Sequence, residues 1–134
     1  MRPIHKEVLI NASIDDVWAA LTEPDSIHGW MGADSSVQVD LKVGGSYRLF
    51  GGETRGTFTK IKKPNTLEYT WRQGEWKKEW KDSVVRWELK KQRAKTKVNL
   101  THSKFPNQQE RDGHDEGWDV YFLDPLKEWL ENRK

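Results

Sequence analysis

The sequence predicts an α+β fold: a curved antiparallel sheet of about six to seven strands wrapped around a long C-terminal helix, with two short helices after the first strand. Three observations carry this expectation. Apolar residues recur at spacings of three and four only near the start and at the end of the chain, and alternate with period two in between. Gly44-Gly45, Gly51-Gly52 and Pro64-Asn65 cut the alternating middle into hairpins. Finally, the 134 residues hold eight tryptophans, three tyrosines and four phenylalanines. Each tryptophan can bury on the order of 200 Å², so these side chains must dominate a core or line a cavity.

The elements follow in order. Ile4 to Asn11 reads as a strand with Val8 and Ile10 on one face. Ser13 with Asp16 three residues on forms a capping box and opens a helix whose apolar stripe is Ile14, Val17, Trp18 and Leu21. Pro24 ends it, and Asp25 is expected to cap a second short helix to about Met31, with Ile27, Trp30 and Met31 apolar. Val37, Val39 and Leu41 then alternate with polar residues, as do Tyr47 and Leu49 beyond the Gly44-Gly45 turn. Thr54 to Ile61 is a strand with an expected bulge near Gly56, which should point inward beside Phe58. Leu67, Tyr69 and Trp71 share one face of the next strand, and Val85, Trp87 and Leu89 one face of the strand after the charged stretch Gln73–Asp82. Lys90 to Lys95 is a basic hairpin tip leading to the last strand, Lys97 to His102. From about Asp115 the apolar residues Trp118, Tyr121, Phe122, Leu123, Leu126, Trp129 and Leu130 mark the long helix, which Pro125 should kink. No linker or repeat divides the chain, so one domain over 1–134 is expected.

Composition narrows the function. With no cysteine, disulfide scaffolds, thiolate metal sites and cysteine nucleophiles are excluded. The net charge of +2 is too balanced to point to nucleic acid. No apolar run is long enough for a membrane span and no signal-peptide core opens the chain, so a cytoplasmic location is the expectation. The histidines His5, His28, His102 and His114 do not form a metal-ligand pattern, and no phosphate loop, catalytic triad or paired-carboxylate motif is present. No metal, cofactor or catalytic residue is therefore assigned, and binding is expected rather than catalysis.

The run of motifs is similar to a known family. The strand followed by INASIDDVWAALTEPDSIHGWM, then VGGSYRL, RGTFTKIKKPNTLEYTWR, SVVRWELK, VNLTHSKFP and the closing GWDVYFLDPLKEWLE resemble the C-terminal domain of the activator of heat-shock protein 90 ATPase, over nearly the whole chain. That family lies within the helix-grip (START-like, SRPBCC) superfamily of lipid-transfer domains, polyketide cyclases and birch-pollen-type allergens. The resemblance implies a helix-grip fold, with hydrophobic-ligand binding, a chaperone-linked role in the stress response, or cyclase-like chemistry as the functions it can host. Two features depart from the family pattern: the long charged stretch Gln73–Asp82, and the Lys90–Lys95 tip without its usual glycine.

A single helix across a curved sheet leaves a partly hollow, aromatic-lined interior. The candidate ligand-binding residues are Trp30, Phe58, Tyr69, Trp71, Trp87, His102, Trp118 and Phe122. Any one of these aromatics can instead be core, and His102 either meets the ligand or, as the favoured reading, closes a buried polar network with a tyrosine. Arg55 is placed at the cavity mouth, and Trp76 and Trp80, four apart, form either a lid or a partner-binding patch. The leading expectation is a small, largely apolar aromatic or acyl ligand. The second is a protein partner bound by the outer sheet face and the charged stretch, and the third a cyclase- or aromatase-like enzyme.

Overall fold

The computed structural model describes residues 1–32 and 36–133. Strand β1 (Ile4–Ile10) is followed by helices α1 (Ile14–Thr22) and α2 (Pro24–Met31). Six further strands are β2 (Gln38–Val39), β3 (Ser46–Leu49), β4 (Thr54–Lys62), β5 (Thr66–Gln73), β6 (Ser83–Gln92) and β7 (Lys95–Ser103). The C-terminal helix runs as α3 (Gln108–Gly117), a π-helical turn (Trp118–Leu123) and α4 (Asp124–Glu131). All strands pair antiparallel in one sheet of order β1-β7-β6-β5-β4-β3-β2. This is the α+β, helix-grip arrangement that the sequence predicts. Among the described residues no helix is long and apolar enough to cross a membrane.

Local chemistry explains most boundaries. The Ser13 hydroxyl accepts from the Asp16 N–H at 3.1 Å, as its spacing predicts. Helix α2 begins two residues earlier than expected, with Glu23 at the cap position instead of Asp25 and Pro24 in the first turn, because proline needs no donor there. Gly44, Gly51 and Gly52 all take positive φ at the predicted turns. At the β6–β7 tip Arg93 takes φ 60° in place of the missing glycine, in a loop closed by the Gln92–Lys95 pair.

Several expectations are corrected. Strand β2 is only two residues long, and Leu41 lies beyond it, 44% exposed. The β4 bulge falls between Phe58 and Lys60 instead of at Gly56. Gly56 is required for another reason: a Cβ there would stand 1.7 Å from the Thr70 carbonyl oxygen, so β4 and β5 approach too closely for any side chain. The last helix starts at Gln108, seven residues before the expected Asp115, because Asn107 caps it by accepting from the Glu110 N–H at 2.8 Å. Its first turns are polar and carry no apolar period to read. Pro125 neither donates to the preceding turn nor breaks the helix; the chain widens into the π turn just before it.

The core lies between the concave sheet face and the helices, and the expected inward apolar residues of β5–β7 and Phe58 of β4 are buried there. The outer end of the sheet is strapped to the helix by Lys6, whose Nζ reaches Asp115 at 2.6 Å and Asp119 at 2.9 Å. Hydrogen bonding to Lys6 lowers the Asp115 pKa and raises that of Lys6.

Candidate functional site

The middle of the concave face is filled, not hollow. Tyr47 stacks on Tyr69 at a centroid distance of 4.3 Å, and Phe58 packs edge-on against both. The Trp87 indole N–H donates to the Tyr69 hydroxyl at 3.0 Å, and burial pushes the Tyr69 pKa up to about 12. A buried chain of hydrogen bonds closes the neighbouring space. The Trp118 indole N–H donates to His102 Nδ1 at 3.0 Å. That fixes the proton on Nε2, which donates to Ser83 Oγ at 2.7 Å, and the serine hydroxyl donates to the Trp71 carbonyl at 2.8 Å. Every polar atom of this chain is engaged. Burial drives the His102 pKa down to about 2, with His114 adding to it, so the imidazole is neutral and its one N–H is already committed to Ser83.

Open space remains at one end. A cleft of ≈ 300 Å³ lies between the β5 C-terminus, the Phe50–Gly52 turn and the junction of α3 with the π turn. Its apolar walls are Phe50, Trp71, Trp118, Tyr121 and Phe122. Surface furrows near Asn11 and the β6–β7 tip are larger, ≈ 450 and ≈ 540 Å³, but neither has an aromatic side chain in its lining. A third, of ≈ 480 Å³ between α2 and α4, is lined by Trp30 and Trp129 but is shallower and more open to solvent than the cleft. The cleft exists because the helix facing it carries glycine four residues apart, Gly113 and Gly117, on one side. A Cβ at Gly113 would meet nothing within 4 Å, and one at Gly117 would only touch Tyr121. Helix-interior glycine costs roughly 1 kcal/mol against alanine, so this space is bought with helix stability.

The polar groups at the cleft are few. The His114 Nδ1–H donates to the Glu110 carbonyl at 2.7 Å, and its Nε2 accepts from the Trp71 indole at 3.2 Å, which holds the Trp71 ring in the wall. Gln73 Oε1 accepts from the Thr54 hydroxyl at 2.6 Å, leaving the amide N–H groups as donors at the lining. Glu53 supplies a carboxylate there. Among the described residues no cluster of three or more His, Asp or Glu side chains is arranged to hold a metal.

Of the eight candidate residues, Trp71, Trp118 and Phe122 line this cleft. Phe58, Tyr69, Trp87 and His102 sit deeper, in the filled region. Trp30 is buried between α1 and the C-terminal helix, donating to the Ala20 carbonyl at 2.8 Å and meeting Phe122 edge-on. Arg55 is not at the cleft mouth: it lies on the outer face, in register with Arg48 and Arg72. Trp76 is no free lid, being 5% exposed with its indole N–H on Glu110 at 2.7 Å. Its loop is tied down further by Arg72, which donates to the Lys77 and Trp80 carbonyls and to Asp82. Sequence reading missed Phe50, Gln73, Gly113, His114 and Tyr121 as lining residues. The one legible signal for them was the pair of glycines four apart inside a helix.

The chain matches, over residues 11–131, the family described as Activator of Hsp90 ATPase homolog 1-like protein. Similar solved structures include an HSP90 activator from Plasmodium falciparum, with 27% identity, TM-score 0.85, and 97% of this chain and 96% of that one covered. The Aha1 dimer from Colwellia psychrerythraea shares 26% identity at TM-score 0.82, covering 100% of this chain and 99% of that one. CalU16 from Micromonospora echinospora shares 25% at TM-score 0.81, covering 98% of this chain and 77% of that one. No curated protein matches significantly.

Proposed function

We propose that this chain, which belongs to the Activator of Hsp90 ATPase homolog 1-like family, binds a small, mainly aromatic ligand in the end cleft. The observation that carries the reading is the open space left by Gly113 and Gly117 on the helix, bordered by Trp118 and Phe122 of the same helix and by Trp71 of β5. A volume of ≈ 300 Å³ is at the small end for ligand sites, so the cleft suits one or two fused rings and is too short for a long acyl chain. Ring burial against the tryptophans supplies the affinity, and the Gln73 amide and Glu53 carboxylate orient one polar edge.

The test uses 2-naphthol. It should change the tryptophan fluorescence saturably and raise the melting temperature, since it binds only the folded state. Gly113→Leu should fill the cleft and remove both effects while the protein stays folded, because the new side chain enters open space. No spectral or thermal response, or an unchanged response in Gly113→Leu, overturns the reading.

A second reading is a protein-interaction module like the HSP90 activator among its relatives. It is favoured by Phe50 and Tyr121, 42% and 65% exposed on the cleft rim. Stimulation of an Hsp90 ATPase that Tyr121→Ser abolishes and Gly113→Leu leaves intact would favour it over the ligand.

A further inference from the structure

The outer face of the sheet carries a row of like charge that the cleft does not explain. Arg48 on β3 pairs in register with Arg55 on β4, and Arg55 with Arg72 on β5. Directly opposed side chains on neighbouring strands stand about 5 Å apart, and like charges so placed repel. Only one end of the row is neutralised: Arg72 is bound to Asp82 at 3.0 Å and spends its other donors on loop carbonyls. Arg55 makes one long contact, to the Gly52 carbonyl at 3.5 Å. Among the described residues Arg48 has no acceptor. The adjoining row brings hydroxyls, Ser46 and Thr57 in register, with Thr70 beside Thr57 and accepting from its N–H at 2.9 Å. Together with Gly56 and the Asp82 carboxylate, which Arg72 neutralises, these side chains surround a depression of ≈ 180 Å³.

We infer that this depression is a binding site for a tetrahedral oxyanion, a phosphate or the phosphoryl group of a monoester. Two adjacent guanidinium forks with unspent donors converge on one such group, and planar forks match its oxygens bidentately. The hydroxyls add short neutral donors that a compact oxyanion can reach together. An acidic peptide, whose carboxylates are spread along an extended chain, has no use for such convergence. The bound anion also removes the repulsion along the row, so binding stabilises the fold. The site faces away from the aromatic cleft and is independent of it.

The experiment is thermal melting and calorimetric titration with inorganic phosphate and with phenyl phosphate, at ionic strength held constant with sodium chloride. A saturable rise of about 4–7 °C is expected at tenfold the dissociation constant. Tighter binding of phenyl phosphate identifies a monoester as the ligand, and equal or weaker binding identifies free phosphate; either supports the site. In Arg48→Gln/Arg55→Gln the response should be lost, with the anion-free melting temperature unchanged or higher. Lys90→Gln/Lys91→Gln, which removes the same charge from the exposed β6 end, should respond like the unaltered protein. The inference is overturned if neither anion raises the melting temperature, or if the arginine variant responds in full. It is also overturned if the lysine variant loses the response equally, or if a glutamate-rich peptide binds through the row while phosphate does not.

Discussion

The middle and one end of the same concave surface are built from the same residue types and end in opposite states. In the middle, Tyr47, Phe58, Tyr69 and Trp87 interlock, and His102 turns both ring nitrogens inward to Trp118 and Ser83. At the end, Trp71 on β5 and Trp118 and Phe122 on the π turn border open space because Gly113 and Gly117, one turn earlier on the same helix, put no side chain into it. An aromatic stripe therefore becomes core or pocket according to whether the neighbouring positions supply side chains to fill the space it borders. Trp118 belongs to both regions, its indole nitrogen committed to His102 and its ring forming part of the cleft wall.

The comparison breaks most visibly at Trp87. It is 2% exposed and hydrogen-bonded to Tyr69, so Trp87→Ala should cost about 3–5 kcal/mol in urea unfolding. A loss under about 1 kcal/mol would mean that the middle is as loosely filled as the end.

The pH dependence sharpens the same contrast. The folded His102 pKa of about 2 lies far below its unfolded value near 6.5, so between these limits the unfolded chain binds the extra proton. The stabilisation is complete above about pH 6.5 and is lost as the pH falls, by up to about 1.4 kcal/mol per pH unit for this one group. Asp115, lowered by Lys6, adds loss in the same direction at lower pH, below its ordinary range. His102→Gln should be less stable at neutral pH but show a shallower decline from pH 6 to pH 4.5 in denaturant titrations. An equally steep decline would show that the imidazole is not held neutral in the core.

The smallest expected change in stability is at the rim. Tyr121→Ala removes a side chain that is 65% exposed, so stability should move by no more than about 0.5 kcal/mol. The 2-naphthol affinity should fall roughly threefold to tenfold if the cleft is the binding site, about 1 kcal/mol of contact. A large loss of stability with unchanged affinity would reverse the roles assigned to the two regions.

The sequence by itself determined the alternation of helix and strand, the Ser13 cap, the glycine turns and the inward side of each strand. These follow from local rules, since a two-residue or 3.6-residue period and a cap spacing are complete within a few positions. It also carried the family resemblance, in motifs strung along the chain in order. Which inward aromatics meet a partner and which meet space was decided only in three dimensions. Trp87 and Trp71 have the same parity, yet one reaches Tyr69 and the other a histidine 43 residues away on a helix. The same holds for the arginine row: Arg48, Arg55 and Arg72 are unremarkable in sequence and become neighbours only through strand register. Periodicity tells which way a side chain points. What waits there depends on contacts between distant segments, and those are fixed only when the sheet closes on its helix.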